Sequence, residues 1–144
     1  MARYGTILAL VDLSKTSEQV IAAARNIAHE GSQIVLLHVL EYVPVEPMGE
    51  SLMPTLQIED DLIARAREKL ATLLPLAGDA GARARAEAGN TKAEVLRVAG
   101  EESADLIVLG SRERHGPGIL VNLIEDTVLH GAHCDVLAVR LKQA

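Results

Sequence analysis

The order of apolar and polar residues along the chain predicts a sheet with three central strands. Continuous apolar runs occupy residues 6–11, 33–40 and 105–110, with the sequences TILALV, QIVLLHVL and DLIVLG. A strand with one face in water alternates apolar and polar residues, whereas a strand buried on both faces does not. These runs therefore predict strands in the middle of a parallel sheet.

Two weaker segments predict the remaining strands. ARARAEAG at 82–89 alternates alanine with charged residues. Because alanine is a poor strand former, we expect this strand near an edge of the sheet. DVLAVRL at 135–141 predicts the last strand. If it lies at the other edge, its apolar run leaves backbone groups unpaired.

Helices are predicted between the strands, where apolar residues recur at helical spacing. Pro75 disfavours helix at the residue before it and so ends the second helix. Thr91 and Glu94 have the spacing of a capping box at the start of the third. Residues 41–57 hold three of the five prolines and show no clear period, which indicates a long loop. The predicted helices cover 17–30, about Ile58–Leu74, 90–103 and 123–132.

This alternation of strands and helices predicts an α/β fold for a single domain over residues 1–144. We expect a Rossmann-like, five-stranded parallel sheet with strand order 3-2-1-4-5 and helices on both faces. In such sheets ligands bind beyond the carboxyl ends of the strands, where the winding reverses. With the reversal between the first and fourth strands, VDLS at 11–14 and GSRERHGPG at 110–118 face each other across one crevice.

Composition excludes several classes of partner. The net charge is -6 and aromatic residues make up 1% of the chain. A nucleic-acid surface needs clustered Lys and Arg or aromatic stacking platforms. The single cysteine, Cys134, suits a reducing compartment. With neither a signal-peptide pattern nor an apolar segment of about 20 residues, we expect a cytoplasmic protein with no nucleic-acid or membrane partner.

Four segments of the chain resemble the universal stress protein family. They are ILALVDLS at 7–14, LLHVL at 36–40, ADLIVLGSRERHG at 104–116 and VLHGAHCDVLAVRL at 128–141. The resemblance implies a parallel five-stranded fold that usually assembles as a dimer. It also implies a crevice in which many members bind ATP or AMP, an ability that another branch has lost.

The resemblance implies a nucleotide site that is only half preserved. Asp12 matches the aspartate that contacts adenosine, Val39 the valine whose backbone contacts adenine, and Gly110 the first glycine of the phosphate motif. Glu113 stands at the second glycine. Counted back from the last strand, Asn122 and Leu123 stand at the Gly-Ser or Gly-Thr pair; counted forward from Gly110, that pair is Leu123 and Ile124. Neither register supplies a glycine.

The physics of the predicted helix start agrees with this departure. Such a start binds phosphate through N–H groups that lack partners, but Asn122 and Glu125 have the spacing to cap them. A carboxylate at Glu113 about 4 Å from a phosphate charge costs roughly 4 kcal/mol at an effective dielectric of about 20. Arg112, Arg114 and His115 are the candidates to offset this charge, and the alternative is that Glu113 is a solvated loop charge. We therefore predict no tight ATP binding; in the alternative hypothesis, a nucleotide-sensing switch holds AMP or ATP with magnesium at low affinity.

Other candidate chemistry has simpler explanations. Asp12 either contacts a ligand or caps the first helix, since DLSK is ordinary turn chemistry. His130, His133 and Cys134 lack the further ligands of a zinc site, so a helix end leading into a strand explains them better. Asp135 would raise the pKa of the Cys134 thiol and make it less reactive. We predict neither a metal nor a catalytic residue.

The apolar sequence of the last strand predicts self-association of the chain. Pairing of Val136–Leu141 with its copy around a two-fold axis would cover the exposed edge; the alternative is an edge protected by Arg140, Lys142 and the tail. The resemblance also implies dimers through this strand. We therefore expect a homodimer that regulates a stress response through an unidentified protein partner.

Overall fold

The computed structural model describes residues 4–41, 53–78, 81–111, 128 and 130–142. Five strands and three helices have bounds within this part of the chain, and a 3-10 turn over Leu74–Ala77 follows the second helix. Before the last strand, residues 128, 130 and 131 are also helical, inside the predicted helix over 123–132. The elements are β1 (Thr6–Leu10), α1 (Ser17–Ile27), β2 (Gln33–Leu40), α2 (Met53–Leu73), β3 (Arg83–Ala88), α3 (Thr91–Glu101), β4 (Leu106–Ser111) and β5 (Asp135–Arg140).

The five strands form one parallel sheet in the order β3-β2-β1-β4-β5. Ile7 at the centre of the sheet is in register with Ile34 of β2 and with Leu106 of β4. The predicted fold class, strand order and edge position of β3 are therefore confirmed. No helix within the described residues is long and apolar enough to cross a membrane.

Alternation along the central strands builds two cores, one on each face of the sheet. Ile7 and Leu36 point to the face covered by α1 and α2, where Leu70 is 1% exposed. Leu8 and Leu37 point to the face covered by α3. Because both faces are covered, β1, β2 and β4 are apolar at nearly every position, as their continuous runs predict.

The predicted loop over 41–57 is too long at its carboxyl end, because α2 begins at Met53 and not near Ile58. Pro54, which favours a loop in the sequence, is the second residue of the helix. Proline is tolerated in the first helical turn, where the N–H that it lacks would have no partner within the helix. Residues 42–52 lie outside the described residues.

The predicted capping box at Thr91 is also wrong by one residue. Asn90 is the N-cap of α3, and its side chain accepts a hydrogen bond from the N–H of Ala93 at 3.0 Å. Glu94 instead pairs with Arg97 one turn later. Asparagine caps a helix as well as threonine does. Because Asn90 and Thr91 are adjacent and both can cap, the backbone conformation of the preceding loop determines which of them is the N-cap.

A network of ion pairs ties β3 to α3. Arg85 reaches Glu101 at 3.1 Å and Glu102 at 3.2 Å. Hydrogen bonds from Arg97 hold the pKa of Glu94 below its usual range, and hydrogen bonds from Arg85 and then Arg97 do the same for the pKa of Glu101. The members are Arg83, Arg85, Arg97, Glu87, Glu94, Glu101 and Glu102.

Candidate functional site

Asp12 follows β1 and organises the turn into α1. Its Oδ1 atom accepts hydrogen bonds from the N–H of Ser14 at 2.9 Å, from Ser14 Oγ at 2.6 Å and from Ser17 Oγ at 3.1 Å. Leu13 between them has a φ of 66°, a conformation that such side-chain turns favour in spite of its cost for an L residue. The carboxylate therefore closes the turn that DLSK predicts, but the prediction that Asp12 caps the first helix is wrong: the N-cap of α1 is Thr16, and no side chain forms a capping hydrogen bond there.

Val39 lies near the carboxyl end of β2, with 7% of its surface exposed, on the face covered by α3. The end of β1 is fastened to this strand twice. The N–H of Val11 donates to the carbonyl of Leu37 at 2.8 Å, and the carbonyl of Val11 lies 2.9 Å from Nδ1 of His38. These contacts bring Asp12, the next residue, to the carboxyl end of β2.

Gly110 lies at the carboxyl end of β4, on the other side of β1. Ala9 is in register with Val108, so Gly110 is level with the residue just before Asp12. A Cβ atom on Gly110 would lie 2.6 Å from Cδ1 of Leu141, far inside van der Waals contact. A glycine is needed here because the side chain of Leu141, and not a ligand, approaches the backbone of Gly110 closely.

The residues after β5 fasten this side of the site. The N–H of Leu141 donates to the carbonyl of Ser111 at 2.9 Å. Gln19 of α1 donates from Nε2 to the carbonyl of Lys142 at 2.6 Å, and its Oε1 accepts the N–H of Lys142 at 2.8 Å. The sequence does not predict these contacts of Gln19 and Leu141, because a half-buried glutamine on a helix carries no signal for a partner 123 residues away.

The structure therefore brings three of the predicted site residues, Asp12, Val39 and Gly110, to the carboxyl edge of the three central strands. This edge is where ligands bind in doubly wound sheets. The other predicted site residues, which form the phosphate half, lie outside the described residues: Arg112, Glu113, Arg114, Asn122 and Leu123.

The described residues include no group of three His, Cys, Asp or Glu side chains that could hold a metal ion. Burial raises the pKa of the Cys134 thiol, and the charges of Asp135 and Asp105 add to the effect. The predicted effect of Asp135 is confirmed in direction, although burial is the larger cause. A thiol with a raised pKa is a poor nucleophile near neutral pH.

Solved structures share this fold. The universal stress protein UspA from Lactobacillus plantarum is 26% identical, with a TM-score of 0.77 over 97% of this chain and 100% of that one. A universal stress protein in complex with cAMP is 20% identical, with a TM-score of 0.65 over 98% of this chain and 100% of that one. One from Archaeoglobus fulgidus in complex with dAMP is 19% identical, with a TM-score of 0.62 over 96% and 99% of the two chains.

Sequence comparison agrees with these structures. Residues 3–140 match the universal stress protein family. Universal stress protein A homolog 1 of Coxiella burnetii is 34% identical over 142 residues, which are 97% of this chain and 99% of that protein. The chain therefore belongs to the universal stress protein family.

Proposed function

We propose that this protein is a homodimeric, cytoplasmic module of the stress response that acts through a protein partner, catalyses no reaction and does not bind ATP tightly. The observation that carries the proposal is the state of Asp12. Two donors from its own loop and one from the first residue of α1 converge on Oδ1. A ligand that recruits this atom must first break hydrogen bonds to a charged acceptor, each of which contributes about 1.5–3 kcal/mol.

The phosphate half of the site supports the same proposal from its sequence. Glu113, Asn122 and Leu123 replace the small residues that let a triphosphate approach backbone N–H groups in the binding members. A glutamate adds charge of the same sign as the phosphates, and a capped helix start has fewer N–H groups to offer. ATP, with the largest phosphate charge of the candidate ligands, is disfavoured most.

The proposed dimer rests on the outer edge of β5. Because the N–H of Leu141 points to β4, alternation turns the backbone N–H groups of Val136 and Ala138 away from the sheet. The side chains of Val136, Leu137 and Val139 are only partly buried in the single chain. Antiparallel pairing with a second copy would satisfy the backbone groups and bury these side chains.

A nucleotide-sensing switch is the second candidate function. Asp12, Val39 and Gly110 lie at one edge of the sheet, and relatives with the same fold bind cAMP and dAMP. A nucleotide with a single phosphate brings less charge to Glu113 than ATP does. In this candidate function AMP binds with Asp12 and Val39 at adenosine and with Arg112 and Arg114 at the phosphate.

Calorimetric titration of the nucleotide-stripped protein with ATP and with AMP, each with magnesium, tests both candidates. We expect no heat from ATP at millimolar concentration. Micromolar binding of AMP alone would favour the switch, and micromolar binding of ATP would overturn the main proposal.

A gain of function is the sharper experiment. The variant that combines Glu113→Gly, Asn122→Gly and Leu123→Ser restores the small residues of the binding members. We expect it to bind ATP where the parent does not. If the restored variant also fails to bind, the phosphate half is not what prevents binding, and the hydrogen bonds of Asp12 become the next target.

A further inference from the structure

The outer side of β3 is an open sheet edge. β3 pairs with β2 on one side, and no described strand lies on its other side. The N–H of Gly89, just after the strand, donates to the carbonyl of Leu40 at 3.0 Å. Because these groups alternate along a strand, the N–H and carbonyl groups of Ala84 and Ala86 point away from β2. They can accept another strand.

A groove of about 380 Å³ runs between this edge and α2. Its apolar lining comes from Leu70, Ala71 and Leu74 of the helix side and from Ala84 and Ala86 of the strand. Leu70 is buried, whereas Ala71 and Ala84 are exposed. The alanines of ARARAEAG, which make β3 a weak strand, leave this space empty because they carry only a methyl group.

The charge of the groove comes from Arg67. Its side chain is exposed at the rim, and it forms no hydrogen bond or ion pair with any residue that the structure describes. Arg85 and Glu87 also line the groove, but their charged groups engage Glu101, Glu102 and Arg97 of α3. An approaching side chain therefore meets the positive charge of Arg67.

We propose that the outer edge of β3 and the adjoining groove, together the β3 groove, bind an extended segment of another protein that carries apolar side chains at alternate positions and a carboxylate beside them. The backbone of the segment extends the sheet at Ala84 and Ala86. Its apolar side chains enter the groove over Leu70, and its carboxylate pairs with Arg67. Strand addition with alternate side chains in pockets is an established mode of peptide recognition.

A second copy of the chain fits the groove less well than such a segment. Antiparallel pairing of two β3 strands about a two-fold axis would place both α2 helices on one face of the joined sheet. The two Arg67 side chains would then approach the same groove, where like charges repel. Binding at the β3 groove depends neither on the proposed nucleotide chemistry nor on the β5 edge. Failure of this proposal would therefore leave those two standing, and their failure would leave this one standing.

Binding of two designed heptapeptides tests the proposal. The acidic probe is acetyl-Glu-Thr-Val-Thr-Val-Thr-Glu-amide, and the basic probe has Lys in place of both Glu residues. Their symmetry makes the assay indifferent to the direction of the added strand. We expect the acidic probe to shift the amide NMR signals of Ala84 and Ala86 and to bind about two- to fivefold more tightly than the basic probe, as an exposed ion pair allows.

Three variants locate the interaction. Arg67→Glu should reverse the preference between the probes, whereas the control Arg65→Glu, on an exposed part of α2 that does not line the groove, should leave it unchanged. Ala84→Pro removes an outward N–H without removing a hydrogen bond to β2 and should weaken binding of both probes severalfold. Circular dichroism confirms that each variant is folded, and Arg67→Glu keeps the test decisive if the proline variant is not.

Three results of the peptide assay would overturn the proposal, and one result on the oligomeric state would do the same. The first three are the absence of amide shifts at millimolar probe, equal effects of Arg67→Glu and Arg65→Glu, and undiminished binding to folded Ala84→Pro. A parent dimer that folded Ala84→Pro dissociates would also overturn it, because a second copy would then occupy the edge.

Discussion

The two outer strands of the sheet, β3 and β5, occupy equivalent positions and solve the problem of an open edge in opposite ways. β3 carries charged side chains on the α3 face, and these form a network with the helix. β5 carries partly buried Val136, Leu137 and Val139. Charge beside an edge opposes indiscriminate pairing, whereas an apolar edge favours it. The two proposals rest on this difference: a selective edge at β3 and a permanent partner at β5.

The largest expected loss of stability comes from the core beneath β3, and the matched change on β5 should cost less. Leu70→Ala, below β3, should lower the free energy of unfolding by about 2–5 kcal/mol because it leaves a cavity beside buried neighbours. Leu137→Ala on β5 should cost less in the monomer, since Leu137 is only partly buried. Urea denaturation measures both variants. Equal losses in the two variants would contradict the contrast.

The contact between Gly110 and Leu141 tests the β5 side alone. Gly110→Ala places a methyl group 2.6 Å from Leu141 Cδ1, and such overpacking costs about 1–3 kcal/mol. Leu141→Ala in the same chain should recover part of that loss, which a double-mutant cycle by urea denaturation measures. If the two changes are additive, the contact with Leu141 is not the reason for the glycine.

Proline substitution separates the two edges as sites of self-association. Ala138→Pro removes an outward N–H of β5 in each copy of the proposed dimer. Loss of the two hydrogen bonds should weaken the dimer by about 1–3 kcal/mol, which sedimentation equilibrium measures as a larger dissociation constant. The matched variant Ala86→Pro on β3 should leave the dimer intact. A parent that stays monomeric at all concentrations would refute the dimer, and dissociation by Ala86→Pro would assign it to β3.

The smallest expected effect is the dependence of the β3 network on pH. Because the pKa values of Glu94 and Glu101 are lowered in the folded state, their contribution to stability is present above the ordinary glutamate pKa and disappears as pH falls through the folded values. Arg97→Gln should therefore lower the urea midpoint by more at about pH 7 than at about pH 3. Arg65→Gln, outside the network, should change neither midpoint, and a pH-independent loss in Arg97→Gln would mean that packing matters more than charge.

The pattern of apolar residues along the chain predicts the class of the sheet, and the strand order follows only once the winding is taken to reverse between the first and fourth strands. Continuous apolar runs in β1, β2 and β4 require cover on both faces, and the intervening helices can supply it only through parallel strands. The alanines of residues 82–89 also predict that β3 lies at an edge of the sheet. The carboxyl edge then followed as the place of Asp12, Val39 and Gly110.

Which atoms meet at this edge depends on tertiary packing. Gln19 holds Lys142 across 123 residues of sequence, and Leu141 fills the space over Gly110. Neither contact leaves a periodic or spacing signal in the sequence, because each joins residues that come together only when α1 and the end of β5 pack against the sheet. Local patterns determine which elements form and which faces they bury; the distances between side chains that close a site arise only when those elements pack together.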